Sequence, residues 1–227
     1  MAQTPFPVGG LILAAGAGRR MGGPKALVRP RPDGPTLLEH TITVLRRAGI
    51  EDITTVLGAE ATHVLPYAAS AGARVILADD WAQGMGASLR AGLSALAARP
   101  CGATGFDAVL VTLVDLPDVT PEVIRRVLAQ TRAVHGARAA EAADAAAVHN
   151  GEWATAVARA AYEGKPGHPV VLGRATWPDV VATATGDRGA RDFLRAADPV
   201  LIECGDLASG ADVDTPADLA RRRAGDG

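Results

Sequence analysis

Residues 13–27 read LAAGAGRRMGGPKAL. An apolar run breaks into Gly16, Gly18, Gly22 and Gly23, interleaved with Arg19, Arg20 and Lys25, and no carboxylate follows before Asp33. Glycines let successive backbone N–H groups turn toward one anion while the cations neutralise its charges, so the stretch suits a triphosphate or a developing pyrophosphate. Two later segments carry the opposite charge: Asp115 in VDLP, and Asp212 and Asp214 in DVDTP. Carboxylate oxygens suit a hard divalent cation, normally Mg2+ held by one or two carboxylates and several waters. An anionic phosphate nucleophile that attacks an α-phosphorus needs no catalytic base, so such a reaction rests on positioning and charge neutralisation. The lack of an evident Ser/His/Asp arrangement is therefore no obstacle.

The two familiar glycine-loop templates fail here. A dinucleotide fingerprint requires G-x-G-x-x-G opening directly into a helix, but Met21 fills the third glycine's place, and Pro24, Pro30, Pro32, Gly34 and Pro35 keep the chain irregular up to Thr36. The acid expected about 20 residues on to meet a ribose has no candidate at the end of the second predicted strand before Glu60, which is far too late. A P-loop requires Gly-Lys-Ser/Thr, whereas Lys25 lies between Pro24 and Ala26.

Stepping along the chain, apolar periodicity predicts strands over 10–14, 53–57, 74–77 and 109–114, alternating with helices over 36–48, 61–71, 86–98 and 121–135. The alternation and the near-continuous apolar strands predict an α/β fold: a three-layer, doubly wound, mostly parallel sheet in a single domain. Ligands in such folds collect at the carboxyl ends of strands, where both the glycine loop and Asp115 fall. Residues 144–164 read as two strands around Asn150-Gly151. Short helices over 178–185 and 188–197, a strand over 200–204 and a helix over 216–223 follow, with Asp214 or Thr215 near the last cap. The domain is expected to span 9–220, between a tail at 1–8 and a frayed end at 221–227.

Composition narrows the function classes. The 227 residues are 48% hydrophobic and 21% charged, with net charge −2 from 23 basic and 25 acidic side chains. That balance fits one globular domain and no general nucleic-acid or membrane-surface role, so any anion site is local. Cys101 and Cys204 lack the paired spacing of a zinc site or a disulfide framework. The N-terminal stretch has no basic region before its apolar run, and Gly16 and Gly18 interrupt that run, so the chain reads as cytoplasmic.

The residues carry a family resemblance. LAAGAGRRMGGPKAL is similar to the signature of nucleotidyltransferases that wrap a nucleoside triphosphate, and it resembles most the branch acting on the molybdenum cofactor. Further matches follow in order: GMGASLRAGL at 84–93, VDLP at 114–117, GKPGHPVVL at 164–172, GDRGAR at 186–191 and DVDTPADL at 212–219. The GHPV and GDRGAR segments resemble molybdopterin cytidylyltransferases, which join CTP to molybdopterin and release pyrophosphate. The resemblance implies Lys25, Arg20 and Asp115 as catalytic residues. It implies nucleotide contacts from Leu13, Ala14, Ala15, Gly16, Gly18, Arg20, Lys25, Gly84, Gly86 and Ser88. Asp115 and Asp214 are the implied Mg2+ ligands, with Asp212 in reserve, and His168, Arg188 and Arg191 the implied acceptor contacts. A recipient molybdoenzyme is a further implied partner. The sequence departs from the family pattern at Leu116, commonly polar, and at Gly18, commonly serine. Ala15 accompanies CTP in the family, where a second glycine accompanies GTP.

Each of these positions also has a structural alternative. Asp115 and Asp214 can cap helices, as can Ser88; His168 can be a polar turn residue; Arg188 and Arg191 can lie on a solvated face. An NAD(P)H-dependent reductase, or a non-catalytic nucleotide-binding module using the same glycine loop, is the competing functional class.

Overall fold

The computed structural model describes residues 7–99, 106–141 and 151–225. A single sheet is built from β1 (Val8–Leu13), β2 (Ile53–Leu57), β3 (Arg74–Leu77), β4 (Ala108–Leu113), β5 (Val157–Tyr162), β6 (Lys165–Gly173) and β7 (Val200–Glu203). Its seven strands run in the order β3-β2-β1-β4-β6-β5-β7. All pairings are parallel except those made by β6, which runs antiparallel to both β4 and β5.

Alternation along the strands sends side chains to two cores. Val8, Ile12 and Leu110 pack against α1 (Leu37–Arg47), α2 (Ala61–Ser70) and α4 (Pro121–Glu141) on one face. Leu11, Leu13, Val109 and Val111 pack against α3 (Met85–Ala97), α6 (Trp177–Thr183) and α7 (Arg191–Ala197) on the other. The doubly wound, mostly parallel expectation is the observed architecture. Helix α1 starts where its cap dictates: Thr36 accepts from the Glu39 N–H at 3.2 Å, and Glu39 accepts from the Thr36 N–H at 2.8 Å. Pro66 lies inside α2 without ending it.

Several expectations are corrected. The hairpin predicted around Asn150-Gly151 turns instead at Glu163-Gly164, while Gly151–Ala154 is a helical turn, α5. Asn150 itself lies outside the described residues. Tyr162 pairs with Lys165, and both intervening residues have positive φ, 52° and 75°, the backbone that a two-residue hairpin requires. The Glu203 carboxylate secures this turn by accepting from the N–H groups of Glu163 and Gly164, each at 2.9 Å. The segment 164–172, with its Pro, Gly and His residues, carries no strand periodicity, yet it is most of β6. The strand 10–14 starts earlier, at Val8, which therefore does not belong to a tail. The closing helix α8 (Pro216–Gly225) outlasts the frayed end expected from 221, because Arg222 donates to the Ala211 carbonyl at 2.6 Å and pairs with Asp118 at 3.8 Å. Cys204 is a buried core thiol, and Cys101 lies outside the described residues. Among the described residues no helix is long and apolar enough to cross a membrane.

Trp177 ties β6 to the helical layer. It is 1% exposed, its indole N–H donates to the Leu172 carbonyl at 3.0 Å, and the Arg174 guanidinium lies 5.1 Å from its ring centre. Trp177→Ala is expected to lose about 3–5 kcal/mol of stability through cavity formation and the orphaned carbonyl. Trp177→Phe should lose distinctly less. Urea unfolding of the two variants tests this, and equal midpoints for wild type and Trp177→Ala would contradict it.

Candidate active site

The carboxyl ends of β1 and β4 open into a cleft of about 520 Å³. Leu13, Ala14, Ala15, Gly16, Gly18, Arg20, Lys25, Gly84, Ser88 and Asp115 all line it. The loop is fixed at its base by backbone bonds from Ala14 N–H to Val56 and from Ala59 N–H to Ala15, both 3.0 Å. Gly18 has φ of 58°, and a Cβ there would lie 1.9 Å from the Gly23 carbonyl oxygen, so the serine common in the family pattern has no room in this loop. Gly86 is placed differently from the expectation. It does not line the cleft; a Cβ on it would lie 2.7 Å from the Thr185 backbone nitrogen, so it serves close packing of α3 under the 184–189 turn.

Lys25 stands between the two carboxylate segments. Its ammonium donates to Asp115 at 2.6 Å and also to Asp214, whose other oxygen is 2.9 Å from Arg20. Asp115, Asp212 and Asp214 each bring a carboxylate oxygen within 4.8 Å of the others. The Val213 N–H donates to the Asp115 carbonyl at 2.9 Å, stitching the DVDTP loop to the end of β4. Neither key aspartate is spent on a helix. Thr215 and Asp218 form the reciprocal cap of α8, with bonds of 3.2 and 2.7 Å, and Thr120 meets the Val123 N–H at the start of α4. Ser88 makes no cap either, since α3 begins at Gly84 with no side-chain cap. The second oxygen of Asp115 is buried with no hydrogen-bond partner among the described residues.

Electrostatics follow the contacts. Burial alone would lower the Lys25 pKa, but hydrogen bonds to Asp115 and Asp214, with their charges, hold it above the ordinary lysine value. The Lys25 hydrogen bond also holds the Asp214 carboxyl below the ordinary aspartate value, with the Lys25 and Arg20 charges adding to it.

A second cleft of about 240 Å³ adjoins the first across Leu13, Met85, Leu113 and Asp187, which line both. His168, Arg188 and Arg191 all line it. Arg188 is exposed and pairs with Asp192 at 3.1 Å, whereas Arg191 makes no ion pair among the described residues. His168 is half-buried, and burial with the nearby Arg159 charge pushes its pKa down to about 4. Sequence reasoning missed Arg159 and Asp187. The signal for Arg159 was a single charge in the otherwise small and apolar strand VARAAY; Asp187 lay unremarked inside GDRGAR.

With a glycine loop, a lysine and paired carboxylates at the carboxyl ends of two central strands, the site is that of a nucleotide-handling α/β protein. Residues 10–200 match the MobA-like NTP transferase domain, and the chain belongs to that family. It is 35% identical over 226 residues to nicotine blue oxidoreductase of Paenarthrobacter nicotinovorans, covering 97% of this chain and 99% of that protein. It is 36% identical over 120 residues, 52% of each chain, to a probable molybdenum cofactor guanylyltransferase of Rhodopirellula baltica. Among solved structures, the homologue of Mycobacterium tuberculosis rv0371c from Mycobacterium sp. strain JC1 superposes with a TM-score of 0.72 at 27% identity, covering 98% of both chains.

The depressed Asp214 pKa has a testable sign. A carboxylate with a lowered folded pKa stabilises fully above its unfolded value, here 3.8, and the contribution is lost as pH falls through the folded value. In metal-free buffer the stability difference between wild type and Asp214→Asn is therefore expected to be largest near neutral pH and to shrink below 3.8. Chemical unfolding across that range measures it; a difference that grows toward acid would overturn the assigned pairing.

Proposed function

We propose that the protein is a Mg2+-dependent nucleotidyltransferase that moves CMP from CTP onto a phosphorylated acceptor of the molybdopterin class, releasing pyrophosphate. The observation that carries this reading is the convergence of Lys25, Asp115 and Asp214 on a glycine-loop cleft that adjoins a second, arginine-lined cleft. The donor set suits Mg2+: three hard carboxylates lie close together, and Asp115 has an oxygen with no protein partner. When bound, that cation supplies neutralisation and orientation of the triphosphate oxygens. Backbone N–H groups of residues 16–18 are available to cradle phosphate oxygens, Arg20 adds charge at the cleft mouth, and Lys25 can exchange its carboxylate partners for the leaving pyrophosphate. The acceptor phosphate attacks from the side of the second cleft, already anionic, so no residue is asked to remove a proton. A molybdoenzyme that receives the product is the partner this reading implies.

The full-length likeness to nicotine blue oxidoreductase favours a second reading, an NAD(P)H-dependent reductase on the same fold. Against it stands the loop after β1. Gly18 leads into two single 3-10 turns, Arg19–Met21 and Lys25–Leu27, and then irregular chain up to α1, so no α-helix N-terminus follows the glycines directly to receive a dinucleotide pyrophosphate. Melting temperatures discriminate the two readings, because a ligand that binds only the folded state must stabilise it. CTP is expected to raise the melting temperature only with Mg2+, and Asp115→Asn to abolish pyrophosphate release while the protein still unfolds cooperatively, at a melting temperature lowered by the lost ion pair to Lys25. Stabilisation by NADPH without any response to Mg2+ and CTP, or full turnover by Asp115→Asn, would replace the transferase reading.

The choice of base rests on Ala15. It is 4% exposed on the cleft lining, and its methyl faces the end of β2, where a Cβ on Gly58 would lie 2.9 Å away. A methyl group there narrows the floor under a base, which a one-ring pyrimidine tolerates better than a purine. GTP, the donor suggested by the guanylyltransferase relative, is expected to react at least about tenfold more slowly than CTP. Ala15→Gly should narrow that gap without reversing it. Initial rates with CTP and GTP at equal Mg2+ test the expectation, and a wild-type enzyme faster with GTP would refute it.

A further inference from the structure

The second cleft holds more positive charge than the protein itself balances. Arg159, half-buried on β5, spends its Nε and one Nη on the Gly167 carbonyl at 3.1 and 3.0 Å, and its remaining N–H groups meet no acceptor among the described residues. Burial lowers its pKa, and the Arg191 charge adds to the effect, so the two guanidinium groups act on each other as like charges. Neither has an ion-pair partner among the described residues, and Asp187, the carboxylate on the same lining, pairs with neither. Uncompensated cations sharing a concave, partly buried site cost stability unless an anion joins them. The rest of the wall is apolar, from Leu89, Val111, Val170, Leu172 and Leu194. His168, neutral at pH 7, offers a hydrogen bond and no charge.

Sheet register places the Arg159 backbone away from the glycine loop. Arg159 pairs with Val170, and Val170 with Val111 on β4, the strand beside β1. Three strand spacings of about 4.8 Å put the β5 backbone roughly 14 Å from β1, where the glycine loop begins. We infer that Arg159 and Arg191 receive an oxyanion at the far end of the acceptor. The acceptor is thus an elongated molecule with an apolar body, a reacting phosphate at the Leu13–Leu113 end and a second anionic group at the other, in place of molybdopterin, whose far end is a polar, uncharged pterin. This deepens the transferase reading and rests on it.

The test is an NMR titration of labelled protein saturated with Mg2+ and a CTP analogue carrying a methylene between its α- and β-phosphorus atoms. Phenyl phosphate and benzoate present the two oxyanion types on an apolar ring, and benzamide is the neutral control. Saturable shifts of the Arg159 Nε–H and the His168 ring are expected with one or both anions, and the responding anion identifies the group. Benzamide should give none. Arg191→Gln, on an exposed helix start, should weaken that anion's binding at least tenfold, with Arg191→Lys intermediate; Arg159→Met should act likewise if it folds. Equal binding of benzamide, or unchanged anion affinity in Arg191→Gln, would overturn the proposal. Affinity for the CTP analogue, measured in the same variants, reports separately on the nucleotide cleft, so failure of that cleft to bind would be distinguished from failure of the oxyanion receptor.

Discussion

A single ammonium group holds the site together. Lys25 reaches Asp115 and Asp214, which lie 90 and 189 residues further along the chain, and so joins the glycine loop, the end of β4 and the loop before α8. Without a cation between them, two partly buried carboxylates this close would repel, and the loops that carry them would separate. The surrounding structure is arranged so that the bridge can form. Thr215 and Asp218 cap α8 and leave Asp214 free, and Val213 is tied to the backbone of Asp115. Gly18 lets the loop fold back onto Gly23 so that Lys25 points inward.

The two clefts differ in how their charge is balanced. In the glycine-loop cleft every charged group other than Arg19 has an opposite partner among the described residues or, like Asp187, lies at the exposed boundary. In the second cleft Arg159 and Arg191 have no ion-pair partner among the described residues. The shared lining of Leu13, Met85, Leu113 and Asp187 is therefore a border between a self-neutralised region and one whose field is open to an incoming anion.

Much of this was legible in the amino-acid order, and the exceptions share a cause. Strands β1, β2 and β4 are apolar runs that report their own burial, and the Thr36 and Glu39 spacing announces the start of α1. The glycine loop is legible because its side chains, or their lack, carry its chemistry. Strand β6 was not read as a strand, since Lys165, Pro166, Gly167 and His168 show no period; it is a strand because β4 and β5 flank it. Gly86 has the composition of a phosphate contact and the position of a packing residue, which only the approach of Thr185 reveals. Arg159 gains its meaning from register across three strands. Each is a fact about what comes from elsewhere in the chain, to which local pattern is blind.

The reversed direction of β6 has an evolutionary consequence. Because the β5–β6 hairpin is inserted beside β4 as a unit, one stretch of chain brings in Arg159 and His168, while the glycine loop, Lys25 and Asp115 come from the chain before it. Substitutions in the hairpin can thus reshape the second cleft while leaving in place the chain that forms the glycine loop.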